Sequence, residues 1–182
     1  SGATTVTATQ ADALAGQVTA GANAYTVEVS ATEDISALDT SDATALTVED
    51  GNDANAITAT MTLTQYTDVG TANITKGADD LIALTTVTGD LTATDITKAD
   101  SSTLRGATTD SATQWAALAE QVTAGANAYT VEVSATADIS VLYTSDATAL
   151  TVKHGNDANA ITATMKLTQY NDVGTANIIK GP

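Results

Sequence analysis

The chain repeats itself at a distance of 104 residues, and this duplication limits the possible folds more than any other feature. The stretch QVTAGANAYTVEVSAT begins at Gln17 and returns at Gln121 (121 − 17 = 104). The match runs from residues 3–77 to residues 107–181 with about a dozen differences. Such a duplication predicts two copies of one structure. We expect a single continuous repeat domain over 1–182, with a first period at 3–106 and a partial second period at 107–182, taken from a longer array.

The differences between the copies indicate which positions face water. Most changes are at polar positions, such as Glu33/Ala137 and Glu49/Lys153, whereas the alternating apolar positions are mostly kept. In YTVEVS, Tyr25, Val27 and Val29 alternate with polar residues, a period of two that predicts a strand with one buried face. The change of Val6 to Asp110 breaks this rule, and the sequence offers no explanation for it.

A shorter period lies within each copy. LTATDITKADSSTLRGATT, VTATQADALAGQVTAGANA and YTVEVSATEDISALDTSDA each open with an alternating segment and run on to a leucine. A unit near 20 residues is typical of one coil of a stacked repeat, and few aromatic residues (3%) suit a thin core. We therefore predict an all-β fold, a parallel β-solenoid of about nine coils near 20 residues each. The alternative is a row of immunoglobulin-like β-sandwiches, one for each period of 104 residues.

Composition excludes several classes of function. The net charge is −16 with only six Lys and Arg residues, which disfavours nucleic acid and anionic membrane surfaces as partners. No apolar run reaches the roughly 20 residues of a membrane span, so we expect no membrane insertion. Cysteine is absent, and the single histidine, His154, occurs in one copy only. No pair of carboxylates stands out for acid–base chemistry, and we expect no enzyme activity.

A row of threonines occupies ITATMTLTQY, where Thr58, Thr60, Thr62 and Thr64 are evenly spaced. Regular threonine arrays are found on ice-binding surfaces, but they also cover the solvated face of an ordinary strand. The second copy has Lys166 in place of Thr62, and a lysine would interrupt a flat ice-binding plane. This substitution favours the solvated strand.

The loop DGNDAN is the candidate metal site. Asp50, Asn52 and Asp53 supply oxygen atoms at the close spacing that suits Ca²⁺, and Asn156 and Asp157 repeat part of the set. In the second copy His154 replaces the first carboxylate, so an Asn/Gly turn without metal is the alternative. We predict no other cofactor.

Four phrases resemble repeats from a known class of proteins: VTATQADALAG, YTVEVSATEDISAL, ITATMTLTQY and KGADDLIALTTVTGDLTATDIT. They are similar to tandem-repeat regions of very large secreted or cell-surface, adhesin-like proteins of bacteria. The resemblance implies an extracellular or cell-surface location and a non-catalytic role as a structural spacer or adhesion segment. A ligand-binding module for Ca²⁺, ice or glycan is the alternative. Exposed strand edges at the two ends would allow end-to-end self-association.

Overall fold

The structure is a computed structural model that describes residues 2–14, 24–51, 55–118, 121–140, 147–153 and 160–181. The chain divides into two compact units. Unit 1 comprises Ser1–Thr85 and Ile96–Asp100, and unit 2 comprises Thr86–Asp95 and Ser101–Pro182. Each unit therefore contains one copy of the duplicated sequence.

Unit 1 alternates short strands with helical turns. Its strands are β1 (Thr4–Thr7), β2 (Tyr25–Val29), β3 (Glu33–Asp34), β4 (Ala45–Val48), β5 (Thr58–Thr62), β6 (Ile74–Lys76) and the first half of β7 (Leu81–Asp90). Its helices are α1 (Ala8–Ala13), α2 (Leu63–Val69) and the 3₁₀ turn η1 (Thr71–Asn73). These strands pair in parallel, in the orders β1-β2-β4-β6 and β3-β5-β7.

Unit 2 repeats this plan. Its strands are the second half of β7, β8 (Ser101–Ser111), β9 (Val122–Thr123), β10 (Tyr129–Val133), β11 (Ala137–Asp138), β12 (Ala149–Val152), β13 (Ala163–Thr164) and β14 (Ile178–Lys180). Its helices are α3 (Ala112–Ala117), α4 (Leu167–Val173) and the 3₁₀ turn η2 (Thr175–Asn177). The main order is β7-β8-β10-β12-β14, with β9 beside β8 and β11 beside β13. From β8 to β14 the paired strands again run parallel.

The two copies pair their strands in the same register. Thr26 lies opposite Ala45 in unit 1, and Thr130 lies opposite Ala149 in unit 2. The alternation predicted for YTVEVS is confirmed, because Val27 and Val29 are fully buried while the residues between them are half-exposed. The burial predicted for aliphatic positions also holds for Leu46 and Met61, but not for Leu63, which is half-exposed at the start of α2, nor for Met165 in the second copy. The cores consist mainly of such small aliphatic side chains.

Each of the four α-helices has the sequence Thr-Gln at its second and third positions. In α1, α2 and α3, the residue before the helix (Thr7, Thr62 or Ser111) and the glutamine three positions later cap each other's backbone N–H groups. This reciprocal arrangement is a capping box, and it satisfies N–H groups that a helix start leaves free. In α4, where Lys166 replaces the threonine, Gln169 still accepts from the Lys166 N–H at 2.6 Å.

The predicted fold class is wrong. The described residues contain four α-helices and parallel sheets that do not close, so the chain is α/β rather than an all-β solenoid of about nine coils. Helices form because the capping boxes end strands β1, β5 and β8. The immunoglobulin-like alternative is also wrong, because such sandwiches are built from antiparallel strands. The parallel strand–helix–strand units are Rossmann-like, although the strand order follows the chain without reversal.

Candidate functional site

The threonine row is shorter on the structure than in the sequence. Thr58, Thr60 and Thr62 lie on β5 with their side chains half-exposed, while Ala59 and Met61 between them are buried. Thr64 lies on helix α2, and the Thr62 hydroxyl accepts from the Gln65 N–H at 3.2 Å. Only three hydroxyls therefore share the strand face, and one of them is engaged in a helix cap.

The candidate calcium loop is only partly described. Asp50 is half-buried and follows β4, and Gly51 after it has φ +72°, which a turn with glycine accepts without strain. Asn52, Asp53, Asn156 and Asp157, together with His154, lie outside the described residues. Within residues that the structure does describe, no three His, Cys, Asp or Glu side chains come together as a metal site. Calcium binding by this loop stays a prediction.

Buried glutamines tie the helix starts to earlier turns of the chain. The Gln65 amide Nε2 donates to the carbonyl oxygens of Ile35 at 2.7 Å and Leu38 at 2.6 Å. Gln169 makes the matching bond to the Ile139 carbonyl at 2.7 Å. Gln114 donates in the same way to the carbonyls of Leu91 and Thr94. Each of these glutamines caps a helix with its oxygen and satisfies buried carbonyls with its nitrogen.

A second pair of side-chain bonds recurs in both copies. The Thr44 hydroxyl accepts from the Tyr25 N–H at 2.8 Å and donates to the Tyr25 carbonyl at 3.1 Å. Thr148 and Tyr129 form the same pair at 2.8 and 3.0 Å. Each threonine hydroxyl therefore bonds both backbone groups of the first residue of a strand, Tyr25 in β2 or Tyr129 in β10. Side chains that both copies keep thus form hydrogen bonds with backbone groups.

The most unusual chemical group is a buried carboxylate in unit 2. Asp110 on β8 is fully buried, and its Oδ2 accepts from the Tyr129 hydroxyl at 2.9 Å. Its Oδ1 has no hydrogen-bond partner in the described part of the chain. Burial raises the pKa of Asp110, the bond from Tyr129 opposes this, and the negative charge of Asp90 adds to the rise. Burial thus favours the protonated form of this carboxyl group.

Trp115 belongs to the same cluster. Its ring meets Tyr129 edge to face, with centroids 6.4 Å apart and an interplanar angle of 87°. The first copy has Val6 and Ala11 at the positions of Asp110 and Trp115, and it keeps the tyrosine as Tyr25. The two substitutions therefore surround one unchanged side chain. The sequence shows both substitutions without connecting them, although their occurrence in the same copy is a signal that they belong together.

No helix among the described residues is long and apolar enough to cross a lipid bilayer. Comparison with protein-family models, with curated proteins and with solved structures found no significant match to this chain.

Proposed function

We propose that this chain is a non-catalytic structural spacer in a repetitive bacterial protein. An extracellular or cell-surface location is part of the same proposal, and it derives from the resemblance of the repeats. A spacer has to hold a defined length between other parts of a protein. In such a protein, side chains are selected mainly because they stabilise the backbone, and less because they bind a ligand.

The observation that carries the proposal is the distribution of differences between the copies. Most positions that changed are exposed in the described residues, as at Asp12/Ala116 and Thr67/Asn171. The buried glutamines, the threonines paired with Tyr25 and Tyr129, and the buried aliphatic residues of the strands other than Val6 were kept. Retention of the supporting framework with a variable surface is what a structural role requires. In parallel sheets, additional strands can extend a sheet without a new kind of interface.

Single-molecule force spectroscopy on the full chain, held at its two ends, tests the spacer role. We expect discrete unfolding events, because strands bonded along their length must separate together. Each event should release no more than about 3.6 Å of contour length per residue that unfolds. Smooth extension at low force, with no event, would contradict a spacer that bears load. The same measurement in calcium and in chelator separates intrinsic strength from strength conferred by a bound ion.

A further inference from the structure

The two units differ at one face, which is open in unit 2 and covered in unit 1. In unit 2 a cavity of about 310 Å³ lies beside β12, β13 and β14. Besides Thr162 and Ala163, six side chains line it: Val152, Ile161, Met165, Tyr170, Ile178 and Lys180. Their counterparts in unit 1 have the same residue types: Val48, Ile57, Met61, Tyr66, Ile74 and Lys76.

Exposure confirms that only one of the two faces is covered. In unit 1, Val48 and Tyr66 are fully buried, and Met61 and Ile74 are 1% exposed. In unit 2 the corresponding four side chains are all partly exposed. Leu167 at the start of α4 is 74% exposed, and Ile179 on β14 is 57% exposed. Two identical sets of side chains thus occupy different environments.

The cover in unit 1 is a segment of unit 1 itself. Leu81–Thr85 pairs in parallel with β5, and Ile82 and Leu84 are buried by this contact. Ile96 is fully buried, and Ala99 is 2% exposed. The cover is therefore an aliphatic strand followed by a second short apolar segment.

Polar contacts fix the cover at defined places. The Asp80 carboxylate accepts from the Ile57 N–H at 3.0 Å, and the Leu81 N–H donates to the Ile57 carbonyl at 2.8 Å. The Lys76 ammonium donates to the Asp100 carboxylate at 2.6 Å.

The Lys98 side chain reaches the Ile74 carbonyl, and its backbone N–H donates to the Tyr66 hydroxyl at 3.1 Å. The residues that receive these contacts recur in unit 2 as Ile161, Lys180, Ile178 and Tyr170. The second copy therefore keeps the residue types that contact the cover in unit 1.

Charge at the open face has changed in favour of an acidic partner. Lys153 follows the lining residue Val152 and replaces Glu49, and Lys166 follows Met165 and replaces Thr62. With Lys180, half of the six cationic side chains of the chain lie within residues 153–180. Residues 78–100, ADDLIALTTVTGDLTATDITKAD, carry five aspartates and one lysine. An acidic segment of this kind would therefore meet a more cationic face in unit 2 than in unit 1.

We propose that the open face of unit 2 binds an acidic, aliphatic polypeptide segment of the kind seen at residues 78–100. The segment adds a parallel strand at β13, fills the cavity with two aliphatic side chains and places a carboxylate on Lys180. Strand addition of this kind supplies affinity through backbone hydrogen bonds and specificity through side-chain pockets. Residues 78–100 of a second folded copy are not the occupant, because Ile82, Leu84 and Ile96 are already buried within unit 1. Binding at this face does not depend on the proposed spacer role.

The two methionines of the chain make a direct test possible, because Met61 lies under the cover and Met165 lines the open cavity. The full chain is labelled with ¹³C at its methionine methyl groups and titrated with a synthetic peptide of residues 78–100. The variants Met61→Leu and Met165→Leu assign the two signals. We expect the Met165 signal to shift to saturation and the Met61 signal to stay in place.

A peptide carrying Ile82→Asp and Leu84→Asp is the matched control, and it should bind at least about tenfold more weakly, since charged groups cannot enter an apolar cavity without loss. No movement of the Met165 signal with the unmodified peptide would overturn the proposal. So would equal movement of both methionine signals, which would show that the open face is not the site. A Met165 signal that changes with protein concentration alone would assign the face to a second copy and also overturn it.

Discussion

Asp110 shows how one residue can change the chemistry of a core without changing its architecture. Its counterpart Val6 is also buried, so both copies have the same strand at this position. The sequence alone could not explain the substitution, because the groups that accommodate Asp110 lie on other elements. Tyr129 is 19 residues further along the chain, and only the pairing of β8 with β10 brings its hydroxyl to the carboxylate.

We expect Asp110→Asn to make the protein more stable at neutral pH and to leave its stability little changed at low pH. Burial raises the pKa of Asp110 in the folded state above its value of about 3.9 in the unfolded chain. Its contribution to stability is therefore complete below pH about 4 and is lost as the pH rises through the folded-state pKa. Asn cannot ionise and removes this loss, while its side-chain oxygen can still accept from Tyr129.

Urea unfolding followed by the fluorescence of Trp115, the only tryptophan, measures the difference at a series of pH values. The gap between variant and parent should widen from pH 4 to pH 8. Asp90→Asn is the control, and it should not reproduce the widening gain, because the bonds that Thr92 donates lower the pKa of Asp90 and its charge therefore stabilises the folded state above pH about 4. A gap that is constant with pH would show that the pKa of Asp110 is the same in the folded and unfolded states, and would contradict the raised pKa.

Among the elements, the capped helices are the main departure from the predicted fold. Thr-x-x-Gln or Ser-x-x-Gln before α1, α2 and α3 is a local pattern that predicts a helix start, and it is visible in the sequence. The alternation of β2 and β10 was predicted correctly because it depends on neighbouring residues only. The bonds from Gln65 to carbonyls 27 and 30 residues earlier could not be predicted, since they depend on how the turns stack.

Gln65→Met should destabilise unit 1 much more than Gln10→Met, although the two glutamines occupy the same place in equivalent caps. Gln10 is exposed, so its loss should cost about 0.5–1 kcal/mol, as for a helix cap. Gln65 is buried, and its loss also removes the bonds that it donates to the Ile35 and Leu38 carbonyls, of which only the Ile35 carbonyl keeps a second bond, from the Leu38 N–H. The total should be about 2–4 kcal/mol.

Hydrogen exchange measured by mass spectrometry reports the local free energy of opening around each glutamine, on fragments covering residues 4–14 for Gln10→Met and residues 57–69 for Gln65→Met. Equal losses in the two variants would mean that the bonds to the earlier carbonyls add nothing to stability.

For the whole molecule, charge is the main property that composition alone predicts. A net charge of −16 on 182 residues gives the folded state a large excess of negative over positive charge. Composition and periodicity did not predict the α/β class, because the helices are short and their Ala, Thr and Gln residues also suit strands and turns. The parallel pairing was nonetheless predicted, since it follows from stacking similar segments one after another.

We expect the melting temperature to rise as NaCl increases from about 10 mM to about 0.5 M. Screening at high salt weakens repulsion among the carboxylates, because the Debye length falls from about 30 Å to a few ångströms. It also weakens the pair of Lys76 with Asp100, but a partly exposed pair contributes no more than about 1 kcal/mol. The net effect should be a gain of a few degrees. Choline chloride should give the same rise, and a fall in melting temperature would contradict the repulsion argument.

The cluster of Asp110, Trp115 and Tyr129 also bears on how a chain with near-identical halves avoids exchanging them during folding. Misassembly between neighbouring repeats is a known failure of such proteins. A strand of the first copy placed in the second would set Val6 against Tyr129, whose hydroxyl would lose its acceptor. The reverse exchange would place Asp110, an ionisable group, at the core position that Val6 occupies in unit 1. The two substitutions, Asp110 and Trp115, thus distinguish the core of the second copy from the core of the first.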